Sequence, residues 1–311
     1  FLRAHMKTWI NDENNRKPDG SKYNLNTDGL KIYTTINYTM QEMAESAVIS
    51  HIPRLQKEFF EQNKTLDDSI APFRELTSGA VDTLLRISMR RSERWRKMKY
   101  DLKKNDEEIE ESFYVPKEMT VFSWAGEIDT TMTPLDSMKY YKSFFRPGMM
   151  SMDPTNGYIK AWVGGMNYRH FQYDMVKKGK RQIGSTFKPF VYAAAIDQLK
   201  LSPCDTFPDS QFCIEKNKFG NVEQWCPKNS GDKYGRTRTL KNALANSVNT
   251  VTARLMDRIG PRTVVKLAKD LGIEQRILPV PSIALGTPDL SVYEMVAAYS
   301  TFANKGVYTQ P

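Results

Sequence analysis

A serine and a lysine three residues apart, Ser185 and Lys188, are the residues of this chain whose types and spacing best suit covalent chemistry. Residues at i and i+3 share one face of a helix, so the lysine amine can reach the serine hydroxyl. A serine becomes a good nucleophile when a nearby base takes its proton. Lysine acts as that base when burial and its neighbours lower its pKa. The pair therefore predicts an acyl-serine enzyme that needs no histidine.

The spacing alone is weak evidence, because the chain holds a second Ser-x-x-Lys at Ser230 and Lys233. Glycine, asparagine and aspartate surround that copy and predict a loop. After Ser185, in contrast, apolar residues recur with a helical period. Gly184 allows a tight turn before the serine, and Pro189 falls in the first helical turn, where its missing N–H costs little. We expect Ser185 at the start of a helix; the alternative is a helix start with an incidental lysine.

A second candidate motif, Ser247-x-Asn249, is the only Ser-x-Asn of the chain and lies between two apolar helical stretches. A serine hydroxyl can relay a proton, and an asparagine amide can hold both a lysine and a substrate carbonyl. Such a pattern is more often a cap or a turn. Its place about sixty residues after Lys188 makes the combination more specific.

Composition excludes several classes of protein. The chain has 311 residues, of which 40% are hydrophobic and 26% charged, as in ordinary globular proteins of one large or two medium domains. No apolar run approaches the length of a membrane span. The net charge of +9, concentrated between Arg86 and Lys104, predicts a solvated basic surface; an anionic membrane surface and nucleic acid are alternatives. No zinc pattern or aromatic RNA-binding motif supports nucleic acid as a partner.

All three cysteines lie between positions 204 and 226. Cys213 and Cys226 flank a predicted hairpin centred on 219–220, where they face each other at a separation that suits a disulfide. Cys204 could instead pair with either, or all three could be free thiols. A disulfide fits an oxidising compartment. The chain has no Cys-x-x-Cys, and its histidines are distant in sequence, so we expect no metal or other cofactor.

Periodicity and turn residues predict short strands and helices, with a change of character at Gly148. Residues 1–6 read as the middle of an amphipathic helix, so we expect the sequence to be a piece of a longer protein. Strands are predicted at 30–36, 119–122, 127–129, 149–152 and 158–165. Helices are predicted at 38–62, 77–111, 239–245, 250–259, 261–271 and 292–303.

The two motifs together resemble the first and second active-site motifs of penicillin-binding proteins and class A β-lactamases. The flanking sequence is closer still to bifunctional class A penicillin-binding proteins. The resembling segments are DGLKIYTTI (28–36), DPTNGYIKAWVGG (153–165), RQIGSTFKPF (181–190), ALGTPDLSV (284–292) and AYSTFANKG (298–306). The third motif of that family, Lys-Thr-Gly or Lys-Ser-Gly, is absent and is expected shortly after Pro311. The membrane anchor and glycosyltransferase module of the family are absent as well.

The resemblance implies an α/β fold of the α+β type, in which a helical cluster packs on an antiparallel sheet. The transpeptidase fold would be truncated, with a smaller N-terminal linker subdomain. We expect a linker from an absent glycosyltransferase module at 1–28, an inter-domain subdomain at 29–147, and a partial transpeptidase domain at 148–311.

The resemblance also implies a peptidoglycan D,D-transpeptidase that cross-links the cell wall through an acyl-serine intermediate on D-Ala-D-Ala stem peptides. The implied roles are nucleophile for Ser185, general base for Lys188, proton relay for Ser247, orienting group for Asn249, and substrate binding for Gly184 and Thr186. The implied partners are stem peptides, lipid-linked glycan strands and, as covalent inhibitors, β-lactams. The implied location is the outer, periplasmic face of a bacterial cytoplasmic membrane, reached through an anchor outside this sequence. The alternatives are a D,D-carboxypeptidase or β-lactamase-like hydrolase, and a non-catalytic envelope scaffold.

Overall fold

A computed structural model describes residues 2–65, 72–73 and 76–311, so Phe1, the first residue of the predicted helix at 1–6, lies outside the described residues. The chain forms two compact units. The first comprises Phe1–Gln41, Gly148–Gly164 and Tyr173–Pro311. The second comprises Glu42–Pro147 and Gly165–Gln172.

The described residues form helices and short strands. The α-helices are α1 (Leu2–Asn11), α2 (Tyr38–Asn63), α3 (Ser78–Arg91), α4 (Glu93–Arg96), α5 (Asp106–Glu111), α6 (Pro134–Lys142), α7 (Lys188–Leu199), α8 (Leu240–Ala245), α9 (Asn249–Ile259), α10 (Pro261–Asp270) and α11 (Val292–Ala303). A π-helical turn spans Lys97–Asp101, and 3₁₀ turns span Gly184–Phe187, Ser230–Asp232 and Pro281–Leu285. The strands are β1 (Lys117–Ser123), β2 (Gly126–Met132), β3 (Met149–Met152), β4 (Ile159–Val163), β5 (Lys180–Gln182), β6 (Thr206–Pro208), β7 (Thr237–Thr239) and β8 (Asp289–Ser291).

Strand pairing in the described residues is antiparallel throughout. The pairs are β1 with β2, β3 with β4, β5 with β8, and β6 with β7. The pairing is thus spread over four two-stranded sheets, and α11 packs against β3. The predicted α+β class, with helices and antiparallel strands, is confirmed.

Helix α7 lies at the centre of the first unit, where it packs against α9, α10 and the 3₁₀ turn Pro281–Leu285. Phe190, Val191 and Ala195 are fully buried on this helix, and Phe187 is buried just before it. A helix that is apolar on all sides belongs in a core, and burying each phenylalanine contributes about 1.5–3 kcal/mol. This packing fixes the helix that carries Lys188.

The second unit contains a buried glutamine whose side chain bonds two backbone groups at the end of α6. The side-chain amide of Gln56, 1% exposed, donates to Ser143 O (2.9 Å) and accepts from Phe145 N (2.8 Å). Because buried polar groups need such partners, the two bonds fix α2 against the end of α6. Aromatic side chains of Phe122, Phe144 and Phe171 form a core beside it.

The predicted strand at 30–36 is wrong, because this segment has no regular secondary structure. Single hydrogen bonds replace a ladder next to β4. Thr35 Oγ1 donates to Ile159 O (2.8 Å), and Asn37 N donates to Lys160 O (2.9 Å). A side-chain hydroxyl thus makes a contact that a strand would make with its backbone.

The predicted single helix at 77–111 is also wrong, because it is broken into α3, α4, a π-turn and α5. Ser92 has an extended backbone, with φ −72° and ψ 153°, and its hydroxyl accepts from Trp95 N (3.1 Å). Serine competes with the helix by such local bonds, so Ser92 ends α3 and begins α4. Asn105 caps α5 in the same way. The other predicted helices and strands are confirmed.

The predicted hairpin and its disulfide are confirmed. Cys213 and Cys226 are bonded, and Ile214 and Trp225 exchange two backbone hydrogen bonds of 2.9 Å. Cys204 is a free, exposed thiol. None of the helices in the described ranges has both the length and the apolar character needed to cross a bilayer.

Candidate active site

The candidate nucleophile Ser185 lies in the 3₁₀ turn Gly184–Phe187, which leads directly into α7. Its side chain is exposed. Gly184 just before it has φ of 56°, a conformation that glycine adopts without strain. Ser185 is the second residue of the turn, where N–H groups have no partner within the helix. The turn therefore leaves the hydroxyl accessible at the N-terminal end of a buried helix.

A second glycine, Gly286, lies against this turn. Gly184 N donates to Gly286 O (2.9 Å), and Ile183 N donates to Pro288 O (3.2 Å). Gly286 has φ of 75°, and a methyl group there would overlap the carbonyl oxygen of Gly184. Backbone approach this close requires glycine. The sequence signal was present in the ALGTPDLSV segment, but it did not indicate that Gly286 contacts the nucleophile turn.

Thr186, the residue after the nucleophile, is held on two sides. Its hydroxyl donates to Ile183 O (2.6 Å), and its carbonyl accepts from the hydroxyl of Tyr299 (2.5 Å). The Tyr299 ring packs edge-on against Phe190, with centroids 5.6 Å apart. Helix α11 thereby supports the turn through a contact separate from that of Gly286. Substrate binding by Gly184 and Thr186 stays a prediction.

The candidate base Lys188 is buried, with 1% exposure, at the first residue of α7. Its amine donates to Ser247 O (2.6 Å), Ser247 Oγ (2.9 Å) and Asn249 Oδ1 (2.6 Å). These acceptors match the three N–H donors of an ammonium group. Burial lowers the pKa of Lys188 to about 8. Three of the four predicted catalytic residues are therefore in direct contact.

Ser247 lies between α8 and α9 in a left-handed conformation, with φ of 53°. Backbone bonds from Ser247 N to Leu244 O (3.0 Å) and from Val248 N to Ala243 O (2.9 Å) hold it there. A non-glycine residue in this region costs about 1–3 kcal/mol and persists where its surroundings impose it, often at functional sites. In this conformation both the carbonyl oxygen and the hydroxyl of Ser247 contact the Lys188 amine.

Asn249 is the first residue of α9, and both ends of its amide are engaged. Its Oδ1 accepts from Lys188, and its Nδ2 donates to Lys228 O (2.7 Å). A carbonyl oxygen accepts hydrogen bonds but cannot donate them. The Lys228 carbonyl must therefore face the Nδ2 end of the Asn249 amide, which leaves Oδ1 toward Lys188. An amide nitrogen carries a second hydrogen, which is the one available to a substrate carbonyl.

Ser185 makes no hydrogen bond to Lys188 within the described residues. Catalytic hydrogen bonds in ligand-free proteins are often long and shorten in the substrate complex. The second Ser-x-x-Lys behaves as predicted: Ser230 and Lys233 are exposed, in a segment with one short 3₁₀ turn.

The contact between Lys188 and Ser247 can move a proton without moving heavy atoms. A neutral amine has two N–H donors and one lone pair. Ser247 O and Asn249 Oδ1 are acceptors only, so the lone pair of a neutral Lys188 faces the Ser247 hydroxyl. A hydroxyl can donate or accept. The arrangement therefore suits proton exchange between a lysine base and a serine relay.

The sequence matches two domains of one protein family. Residues 147–311 match the penicillin-binding protein transpeptidase domain, and residues 68–145 match the penicillin-binding protein middle domain. The transpeptidase match alone covers more than half of the chain. The chain belongs to the penicillin-binding protein family, as its motifs predicted.

The similar proteins are penicillin-binding proteins 1A. That of Aquifex aeolicus (strain VF5) is 34% identical over 165 residues, which are 52% of this chain and 22% of the relative. That of Neisseria lactamica is 35% identical over 159 residues, 51% of this chain and 20% of the relative. The matches support the class A assignment made from the motifs. The aligned region spans only about a fifth of these relatives' length.

A solved structure supports the fold. The crystal structure of penicillin-binding protein 1A from Haemophilus influenzae superposes with a TM-score of 0.60 at 19% sequence identity. The superposition covers 97% of this chain and 46% of that one. Because the similarity extends over nearly the whole chain, both the helical transpeptidase part and the residues before it share that fold.

Proposed function

We propose that this chain is the acyl-serine part of a class A penicillin-binding protein that cross-links peptidoglycan as a D,D-transpeptidase. One observation carries the proposal. The buried amine of Lys188 is held by Ser247 and Asn249, three residues along the helix from an exposed Ser185. Family membership supplies the substrate class, the D-Ala-D-Ala end of a stem peptide.

In this mechanism Lys188 exchanges its hydrogen bond to Ser247 Oγ for one to Ser185 and takes the proton of Ser185, and Ser185 Oγ then attacks the penultimate D-Ala carbonyl. The C–N bond to the terminal D-Ala breaks, and its amine receives a proton relayed through Ser247. An amine from a neighbouring stem then attacks the ester carbonyl, and the bond from that carbon to Ser185 Oγ breaks. The proton that the amine loses passes by way of Lys188 to Ser185 Oγ, and these steps form the cross-link and free the serine. The N–H of Ser185 would stabilise the oxyanion; losing one such donor typically costs about 10²–10³ in rate.

Burial brings the pKa of Lys188 closer to neutral pH, where a general base would act. A general base is most effective when its pKa lies near the operating pH. With a pKa of about 8, roughly a tenth of the lysine is neutral at pH 7. An exposed lysine, with a pKa near 10.4, would be neutral about two hundredfold less often.

The wider setting is proposed from the family. The parent protein would also carry a peptidoglycan glycosyltransferase, act on lipid-linked glycan strands, and be anchored at the periplasmic face of the cytoplasmic membrane. β-Lactams would acylate Ser185. The bonded Cys213 and Cys226 support an oxidising compartment.

Fluorescent penicillin labelling of the protein that carries this chain tests the nucleophile. Ser185→Ala should abolish labelling, because no other hydroxyl would take the acyl group. Ser230→Ala is the matched control, since it removes the serine of the other Ser-x-x-Lys and should leave labelling unchanged. Stoichiometric labelling of the Ser185→Ala protein would contradict the assignment.

Product analysis separates the transpeptidase from its alternatives. Incubation with pentapeptide stems and an amine-bearing acceptor should yield cross-linked dimers and free D-Ala. Release of D-Ala without dimers would identify a D,D-carboxypeptidase. Hydrolysed penicillin without stem products would identify a β-lactamase-like hydrolase, and a protein that neither labels nor reacts would be a scaffold.

A further inference from the structure

A buried carboxylate, that of Asp209, accepts four hydrogen bonds in the first unit. Its Oδ1 accepts from Asn229 Nδ2 (2.7 Å) and Thr250 Oγ1 (2.8 Å). Its Oδ2 accepts from Gly235 N (2.9 Å) and Arg238 Nε (2.6 Å). Asp209 is 0% exposed, and it follows directly after β6. A buried ion of this kind needs both a counter-charge and satisfied lone pairs.

Asp209 remains ionised in this setting. Burial alone would raise its pKa, but the hydrogen bonds from Arg238, Thr250, Asn229 and the Gly235 N–H together hold the pKa below its usual value. The carboxylate is therefore a fixed charge and a rigid acceptor at neutral pH.

One of its donors, Asn229, caps α9 from outside the helix. Val248 precedes the helix and has no capping side chain. Asn229 Oδ1 instead accepts from the backbone N–H groups of Asn249 (2.9 Å) and Thr250 (3.2 Å). The bond from Asn229 Nδ2 to Asp209 decides which end of the Asn229 amide faces the helix.

The segment that caps α9 also contacts the Asn249 side chain. Asn249 follows the N-cap position, so its oxygen does not cap the helix, and it accepts from Lys188 instead. Lys228 O, adjacent in sequence to Asn229, accepts from Asn249 Nδ2. The segment tied down by Asp209 therefore holds both the backbone and the side chain of Asn249.

We propose, on the basis of the function proposed above, that Asp209 is a positioning residue. Through Asn229 and Thr250 it fixes the first turn of α9, and with it the direction in which Asn249 presents Oδ1 to Lys188. Asp209 contacts neither the nucleophile nor the base, so its effect on the reaction passes through Asn249.

Asp209→Asn tests the proposal in the protein that carries this chain. The amide would place an NH₂ group against two donors, so the Asn229 contact or the Arg238 contact is lost. The rate constant for acylation by a fluorescent penicillin, expressed per active site, should fall about tenfold to a hundredfold. The midpoint of its pH profile should move to lower pH, because the Lys188 ammonium loses an acceptor.

Asp257→Asn is the matched control. Asp257 forms a salt bridge with Lys218 (2.6 Å) near the other end of α9, so the variant also removes a charged contact from this helix. Its acylation rate and midpoint should match those of the parent. If Asp209→Asn only reduced the fraction of sites that label, with an unchanged rate constant and midpoint at the rest, Asp209 would be structural and the proposal overturned.

A double-mutant cycle tests the route through Asn249. In an Asn249→Ala background, Asp209→Asn should cause little further loss of acylation rate; an undiminished loss would overturn the proposal.

Asn229→Ala removes the same link without leaving a buried charge unpaired, so it replaces Asp209→Asn if that variant does not fold. The Lys188 titration, followed by NMR of isotope-labelled lysine, needs no acylation. It therefore reads the effect of Asp209 even if Ser185 proves not to be the nucleophile.

Discussion

The amine of Lys188 lies 2.9 Å from the hydroxyl of Ser247, and it also donates to the carbonyl oxygen of the same serine at 2.6 Å. One residue thus supplies two of the three acceptors around a buried amine, while its backbone holds a left-handed conformation. None of the three acceptors is a charged group. The amine is therefore solvated by dipoles alone, which explains why burial dominates its pKa.

The acylation rate constant should rise with pH and level off above about 8. Burial lowers the pKa of Lys188 to about 8, so the neutral base accumulates as pH rises through that value and falls about tenfold per unit below it. Stopped-flow acylation by a penicillin from pH 6 to 10, with intact folding checked at each pH, measures the midpoint. A flat profile would contradict lysine as the base, and a midpoint near 10 would contradict the lowering of the Lys188 pKa by burial.

Two substitutions of Ser247 should separate its chemistry from its backbone strain. Ser247→Gly and Ser247→Ala both remove the hydroxyl, so acylation should fall in both, by about a hundredfold or more if the hydroxyl relays a proton. Glycine adopts a φ of 53° freely, whereas alanine is strained there by about 1–2 kcal/mol. Urea unfolding should show the glycine variant to be the more stable. Equal stability of the two variants would mean that the backbone at position 247 relaxes and that alanine is not strained there.

The candidate site residues were easier to select from the sequence than the residues that support them. Ser185, Lys188, Ser247 and Asn249 were selected because their types and spacings are local patterns, and the structure brings three of them, Lys188, Ser247 and Asn249, together. Thr239 and the Gly260–Pro261 pair likewise marked the ends of α8 and α9, since caps and helix stops act locally.

The supporting residues were missed because their partners are distant in sequence. Asp209 and Asn229 lie in a loop-rich region whose pattern does not indicate which helix it holds. Gly286 was recognised as part of a family segment, but only folding brings it to Gly184. The wrong strand at 30–36 has the same origin: alternation indicates a pleated segment but does not say whether a partner strand is present.

Loss of the disulfide should destabilise the first unit. Cys213→Ser opens a bridge between residues 13 positions apart, and the gain in unfolded-chain entropy costs about 3 kcal/mol of stability. Cys204→Ser, at the free and exposed thiol, should have no effect on thermal unfolding. Both proteins should be compared under oxidising conditions, with free thiols counted. Equal stability of the two variants would show that the bridge adds nothing to the fold.

Gly286→Ala should disable the nucleophile turn through a backbone clash. The added methyl overlaps the carbonyl oxygen of Gly184, so the residue before Ser185 must shift. A displacement of about 1 Å at a reacting group can reduce the rate about a hundredfold, and we expect such a loss in acylation per active site.

Gly306→Ala is the matched control, because Gly306 also has a positive φ, 88°, but open space around it. It should cost about 1–2 kcal/mol in stability and leave acylation unchanged. If both variants acylate at the parent rate, the contact between Gly286 and Gly184 does not position Ser185.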